Sequence, residues 1–111
     1  MRGNATAMKV YRGDRTLDGI KVTVDGEPLD PRTDLKAISD NGFEWSYEGI
    51  EPAQLSLALL ADHLGDDQAA LAHYEVFMKE IVANFNNEWE MTGEDVDVAL
   101  QNIGAGQLRN F

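Results

Sequence analysis

Phe43-Glu44-Trp45-Ser46-Tyr47-Glu48, followed a few residues later by Pro52-Ala53-Gln54-Leu55-Ser56-Leu57-Ala58-Leu59-Leu60, is where the chain changes period. The first six residues alternate strictly. That pattern predicts a strand with three aromatics on one face and two glutamates and a serine on the other. From Pro52 the period is helical: Leu55, Leu59 and Leu60 share a face with Ala58. Proline suits a first helical turn, where its missing N–H costs nothing, and Gly65 supplies a stop. Strand patterns lie before this switch and mostly helical patterns after it, which predicts an α+β domain.

Upstream, Met8–Arg12 and Ile20–Val24 alternate apolar and polar residues, with Gly13-Asp14 and Asp18-Gly19 as turn formers between them. Asp25-Gly26 is a tight hairpin signal, and Glu27–Leu29 reads as a short third strand before Pro31. Residues 30–41 read as a loop with one helical turn at Leu35–Ile38. Downstream, Asp66 is placed to cap a second helix, and Asp67 complements its N-terminal dipole. Leu71, Tyr74, Met78, Ile81 and Phe85, spaced 3, 4, 3 and 4, form that helix's apolar stripe, widened by Phe77 and ended at Asn86-Asn87. Glu88–Met91 alternates briefly, as an edge strand or an extended connector. Thr92 with Asp95 resembles a capping box for a last helix, with Val96, Ala99, Leu100 and Ile103 facing inward until Gly104. The expected fold is therefore a small, mostly antiparallel sheet of three to five strands with two or three helices packed on one face. Residues 1–7 form a flexible leader, 8–104 a single domain and 105–111 a loose tail.

Charge is distributed unevenly along the 111 residues. Residues 1–36 hold seven bases and six acids, whereas between 37 and 108 Lys79 is the only base against fourteen acids. That stretch is more negative than the whole chain, whose net charge is −11. Such a field attracts positive surfaces and opposes direct binding to nucleic acid or anionic lipid. Adaptation to salt would spread the acids and deplete bases throughout, but the first third keeps its bases. With no cysteine, disulfides, thiolate metal sites and cysteine nucleophiles are excluded. The longest apolar run, Leu55–Ala61, is short of the ~20 residues needed to span a bilayer. Met1–Ala7 lacks the apolar block of a secretory signal, so the expected location is the cytoplasm, the host's if the chain is phage-encoded.

Signatures of catalysis are sparse. No phosphate-binding glycine loop, nucleophile elbow or zincin helix is present. Asp25-Gly26 begins like a calcium loop, but Pro28 and Pro31 interrupt it. His63 and His73 lie on different predicted helices, and a metal site needs three or four convergent ligands. No catalytic residue, cofactor or metal is expected, and the protein is read as a non-enzyme. Trp45, Tyr47 and Trp89 are assigned to the packed face of the sheet rather than to a stacking platform.

Tyr11-Arg12-Gly13-Asp14-Arg15, Val22-Thr23-Val24-Asp25-Gly26, Leu29-Asp30-Pro31-Arg32, and above all the Gly-Phe-Glu-Trp (42–45) and Pro-Ala-Gln-Leu (52–55) segments, resemble a small uncharacterised family of prokaryotes and their mobile elements. The likeness covers roughly residues 8–100. In size, acidity and lack of catalytic motifs the chain is also similar to phage-encoded anti-CRISPR proteins that mimic DNA. That resemblance implies an inhibitor presenting carboxylates in place of phosphates to a basic nucleic-acid-binding protein, such as a CRISPR effector subunit. The expected partner-binding residues are Glu44, Glu48, Asp66, Asp67, Glu75, Glu80, Glu88, Glu90, Glu94 and Asp95, forming one acidic face with the N-terminal bases elsewhere. Two other readings stand beside it. One is a small enzymatic or metal-binding domain using His63, His73 and carboxylates; the other is an accessory domain, a homo-oligomer among the options, whose acidity only confers solubility.

Overall fold

The computed structural model describes the backbone of residues 9–109 and the side chains of residues 9–103. Asp25 and Gly26 both take positive φ, 51° and 85°, the mirror-image turn whose twist matches that of paired strands. It joins β2 (Gly19–Val24) to the two-residue β3 (Glu27–Pro28). β1 (Val10–Thr16) pairs with β2 on one side and with β4 (Trp89–Thr92) on the other, giving an antiparallel sheet of order β3-β2-β1-β4. Three helices complete the α+β fold: α1 (Ile50–Leu64), α2 (Asp67–Glu80) and α3 (Gly93–Arg109).

Local signals set most boundaries. Gly65 ends α1 in the left-handed conformation, its N–H bonding to Ala61 O. The Asp66 carboxylate accepts from Ala69 N at 3.1 Å and starts α2. Thr92 and Asp95 exchange side chain-to-backbone bonds of 2.9 and 3.1 Å, the reciprocal box that starts α3.

α1 is the centre of the molecule. Every residue from Pro52 to Ala61 is buried, so this helix has no wet face over those turns. α2 covers one side of it through Ala70, Tyr74, Phe77 and Met78. The sheet reaches it through Tyr11, whose hydroxyl donates to Asp62 at 2.7 Å. The first part of the segment between β3 and α1 is held against this helix by one side chain. Gln54 is fully buried; its Oε1 accepts from Ile38 N and Ser39 N at 2.8 and 3.0 Å, and its Nε2 donates to Pro31 O and Lys36 O at 2.7 and 3.2 Å. Ser56, also buried, donates to Pro52 O one turn back.

Four expectations are corrected. Gly13-Asp14 is not a turn but the middle of β1. Gly13 faces Trp89 across the ladder, and the Trp89 indole lies where a Cβ on Gly13 would sit, 2.2 Å from Nε1. Phe43–Glu48 is not a strand. Ser46 takes φ 81°, its N–H donates to Val82 O and its hydroxyl to Phe85 O, so the segment straps across the end of α2 instead of joining the sheet. Trp45 is buried, Phe43 half-buried and Tyr47 exposed, because the turn at Ser46 breaks the alternation. α2 stops at Glu80 rather than reaching Phe85: a 3₁₀ turn (Val82–Asn84) follows, and the Asn84 side chain takes the Glu80 carbonyl. Finally, α3 continues past Gly104 to Arg109, where a loose tail was expected; its two interior glycines, Gly104 and Gly106, each cost only about 1 kcal/mol relative to alanine. The expected leader at residues 1–7 lies outside the described residues, as do 110–111. Among the described residues, no helix is long and apolar enough to cross a membrane.

Candidate protein-binding face

The two charge blocks of the sequence are interleaved in space. Arg12 pairs with Glu90, 78 residues away, and Arg15 with Glu44 at 2.8 Å. Arg32 bridges Asp34 and Asp67 at 3.0 and 3.3 Å, and Lys9 meets Asp62 at 3.1 Å. Four bases of the first third thus sit among acids of the remainder, contrary to the expected separation. The physical reason is topological. β1 lies inside the sheet, so Arg12 meets Glu90 of the neighbouring β4, and Arg15 reaches Glu44 in the segment ahead of α1.

Arg15 shows what such a base does. Its guanidinium also donates to Trp45 O at 2.9 Å and Asn87 Oδ1 at 2.6 Å, and stacks 4.6 Å from the centre of the Trp45 ring. Trp45 Nε1 donates to Asn87 O at 3.1 Å, and Trp45 meets Trp89 edge-to-face at 5.8 Å. Glu44 is therefore part of the clamp that seats Trp45, not a free surface carboxylate.

The other expected partner-binding residues divide by their roles. Asp66 and Asp95 are helix caps with exposed side chains, and Asp67 is held by Arg32. Asp34, bonded by the same guanidinium, has its carboxyl held below the ordinary range. Glu88 and Glu90 border a shallow polar groove with Arg12 and Asp14. Among the described residues, Glu48, Glu75, Glu80, Glu88 and Glu94 have no basic side chain within ion-pair distance. Glu75 lies one helical turn from Lys79, which offsets it. Asp67 and Glu80, at opposite ends of the 14-residue α2, are about 20 Å apart, beyond the ~8 Å over which exposed charges act at physiological salt. The acids at the two ends of α2 therefore form separate groups.

One of these groups has shape as well as charge. Where α2 ends against α3, a groove of about 300 Å³ is lined by Glu80 and Asp95, with Ile81, Val98, Ala99 and Ile103 as its apolar part. Glu94 adjoins Asp95 on the first turn of α3. Val98 is 48 % exposed. The reading from sequence missed Val98, although the signal was present: it is an apolar residue off the inward stripe of Val96, Ala99, Leu100 and Ile103.

The histidines do not converge. His63 Nε2 lies 2.7 Å from Asp97 Oδ1, linking α1 to α3, while His73 is exposed on α2. Among the described residues no three His, Asp or Glu side chains gather as metal ligands. Tyr11 is fully buried, and burial, then the bond to Asp62, raises its pKa, so it keeps its proton and serves as a strut.

Tyr47 makes a smaller device at the start of α1. Its hydroxyl donates to Glu51 at 2.8 Å, and this bond is the main cause holding the Glu51 carboxyl below the ordinary range. Partial burial, then Glu51, pushes the Tyr47 hydroxyl up to about 12. A carboxyl with a lowered folded-state pKa stabilises the fold above its unfolded pKa, and that contribution is lost as pH falls through the lowered value. Tyr47→Phe should therefore lose less melting temperature than the wild type between about pH 5 and pH 3. Superimposable pH profiles would show that the bond carries no linkage.

Comparison with curated proteins finds no match, and neither does comparison with solved structures. A family model does match, from residue 11 to residue 102, which spans all four strands and α1, α2 and most of α3. The chain belongs to a family of unknown function, DUF6166.

Proposed function

We propose that this protein is a non-enzymatic, acidic binding protein that occupies a basic nucleic-acid-binding surface of a partner protein, its carboxylates standing in for phosphates. The observation that carries this reading is the group Glu80, Glu94 and Asp95, which has no compensating base within ion-pair distance among the described residues. Mimicry is confined to this short patch, because Arg12, Arg15 and Arg32 interrupt the acids elsewhere. Complementary charge accelerates encounter, and apolar contacts beside it supply lasting affinity. An inhibitor of a CRISPR effector, the role implied by the compositional resemblance, is one form of this function.

The test is a pull-down from host lysate, followed by titration of the recovered basic protein with duplex DNA in competition. Binding should be mutually exclusive with DNA and weaken between 50 and 200 mM salt, by roughly tens-fold for a patch of three carboxylates on the scaling that holds for displaced phosphates. Glu80→Lys with Glu94→Lys should slow association about ten-fold with little change in melting temperature. Asp95 is left intact because it caps α3. A target that holds DNA and this protein together, indifferent to salt and to both reversals, would exclude mimicry.

A further inference from the structure

We propose that the groove between the end of α2 and the start of α3 is a docking site for a basic amphipathic helix of a partner protein. This rests on the acidic-binding reading and gives it a location and a ligand class. Asp95, Val98, Ala99, Asn102 and Ile103 line the groove at spacings of three and four residues, so it follows one face of α3 for about two turns, roughly 12 Å. Ile81 closes it from the α2 side, with Glu80 beside it.

Charge complementarity identifies the occupant. The apolar part is bordered by carboxylates, and α3 carries no base between Gly93 and Leu108. A purely apolar helix would leave Glu80 and Asp95 facing an uncharged surface. A helix with leucines at i, i+3, i+4 and i+7 and lysine or arginine beside them satisfies both components. The half-exposed Val98, near the middle of the lining, is where a partner's apolar anchor would seat, since binding energy concentrates at central, desolvated contacts. The carboxylates would steer and orient the helix.

The experiment uses the full chain, isotope-labelled, titrated in solution with two synthetic peptides of equal length and charge. One carries leucine and lysine at amphipathic helical spacing; in the other, serine replaces every leucine. The leucine peptide should bind at least ten-fold more tightly and shift the amides of Ile81, Val98 and Asn102. Val98→Asp should reduce its affinity about ten-fold without lowering the melting temperature. Glu80→Lys with Glu94→Lys should flatten its salt dependence.

Equal binding of the two peptides, with shifts outside the groove, would overturn the docking site while leaving the acidic-binding reading intact. Absence of salt-sensitive binding to either peptide would overturn both. Concentration-dependent shifts of the same amides without peptide would assign the groove to a second copy of the chain and overturn the proposed occupant.

Discussion

Gln54→Leu should lose about 3–5 kcal/mol of stability, although leucine nearly matches glutamine in volume and suits an all-apolar helix. Four backbone groups, the N–H of Ile38 and Ser39 and the carbonyls of Pro31 and Lys36, have the Gln54 carboxamide as partner. Leucine leaves Ser39 N and Pro31 O unpaired, at about 1–3 kcal/mol for each that stays buried, and leaves Ile38 N and Lys36 O only their 3.2 Å bond to each other. Ser39 is buried and Pro31 is exposed, so the expected loss falls in the middle of the resulting sum of about 2–6 kcal/mol. The melting temperature should fall by about 15–25 °C for a domain of this size. Amide exchange provides the local readout: Ile38 and Ser39 should be protected in the wild type and fast in the variant, ahead of α1. A variant that melts with the wild type would mean that water replaces the carboxamide at no cost.

Trp45→Ala should be comparably damaging, by about 3–5 kcal/mol, the usual range for deleting a buried tryptophan side chain. The indole is fully buried and is gripped from three sides: Arg15 over its face, Asn87 O on its N–H, and Trp89 at its edge. Removing it opens a cavity and also leaves the Arg15 guanidinium without its stacking partner. Trp45→Phe separates these effects, keeping much of the packing while losing the bond to Asn87, and should cost less than half as much. Because the chain has only two tryptophans, the fluorescence of Trp89 then reports alone on whether its own seat survives. A stable Trp45→Ala protein that had lost partner binding would instead make Trp45 a recognition residue.

The parts of this fold legible in the sequence are those whose cause is local. Asp25-Gly26 needs only two positive φ angles, Asp66 only the N–H groups of the next turn, and Thr92 with Asp95 only each other. Phe43–Glu48 was misread because period two reports which way side chains point, not whether a neighbouring strand exists. β1 already has both neighbours, β2 and β4, so no place beside it was open. Gln54 illustrates the opposite difficulty. A single amide within the buried run Pro52–Ala61 was a visible anomaly, but its partners come from a loop with no periodicity of its own. The charge blocks were counted correctly along the chain, yet Arg12 and Glu90 are brought together only by the sheet order. The groove was half legible: Glu80, Glu94 and Asp95 stood out as acids, whereas Val98 did not stand out as exposed.

The central position of β1 also sets a timetable for the nascent chain. β2 follows β1 almost at once, but β4 begins roughly 70 residues later, which at ribosomal rates is about 4–15 s. Through that interval the far edge of β1 presents open backbone groups to any other extended chain nearby. An exposed edge is guarded by charged side chains, and Arg12 and Asp14 stand on the outer face of this one. Arg12 therefore stands as a charge on the edge of β1 before β4 exists, and pairs with Glu90 once that strand is in place.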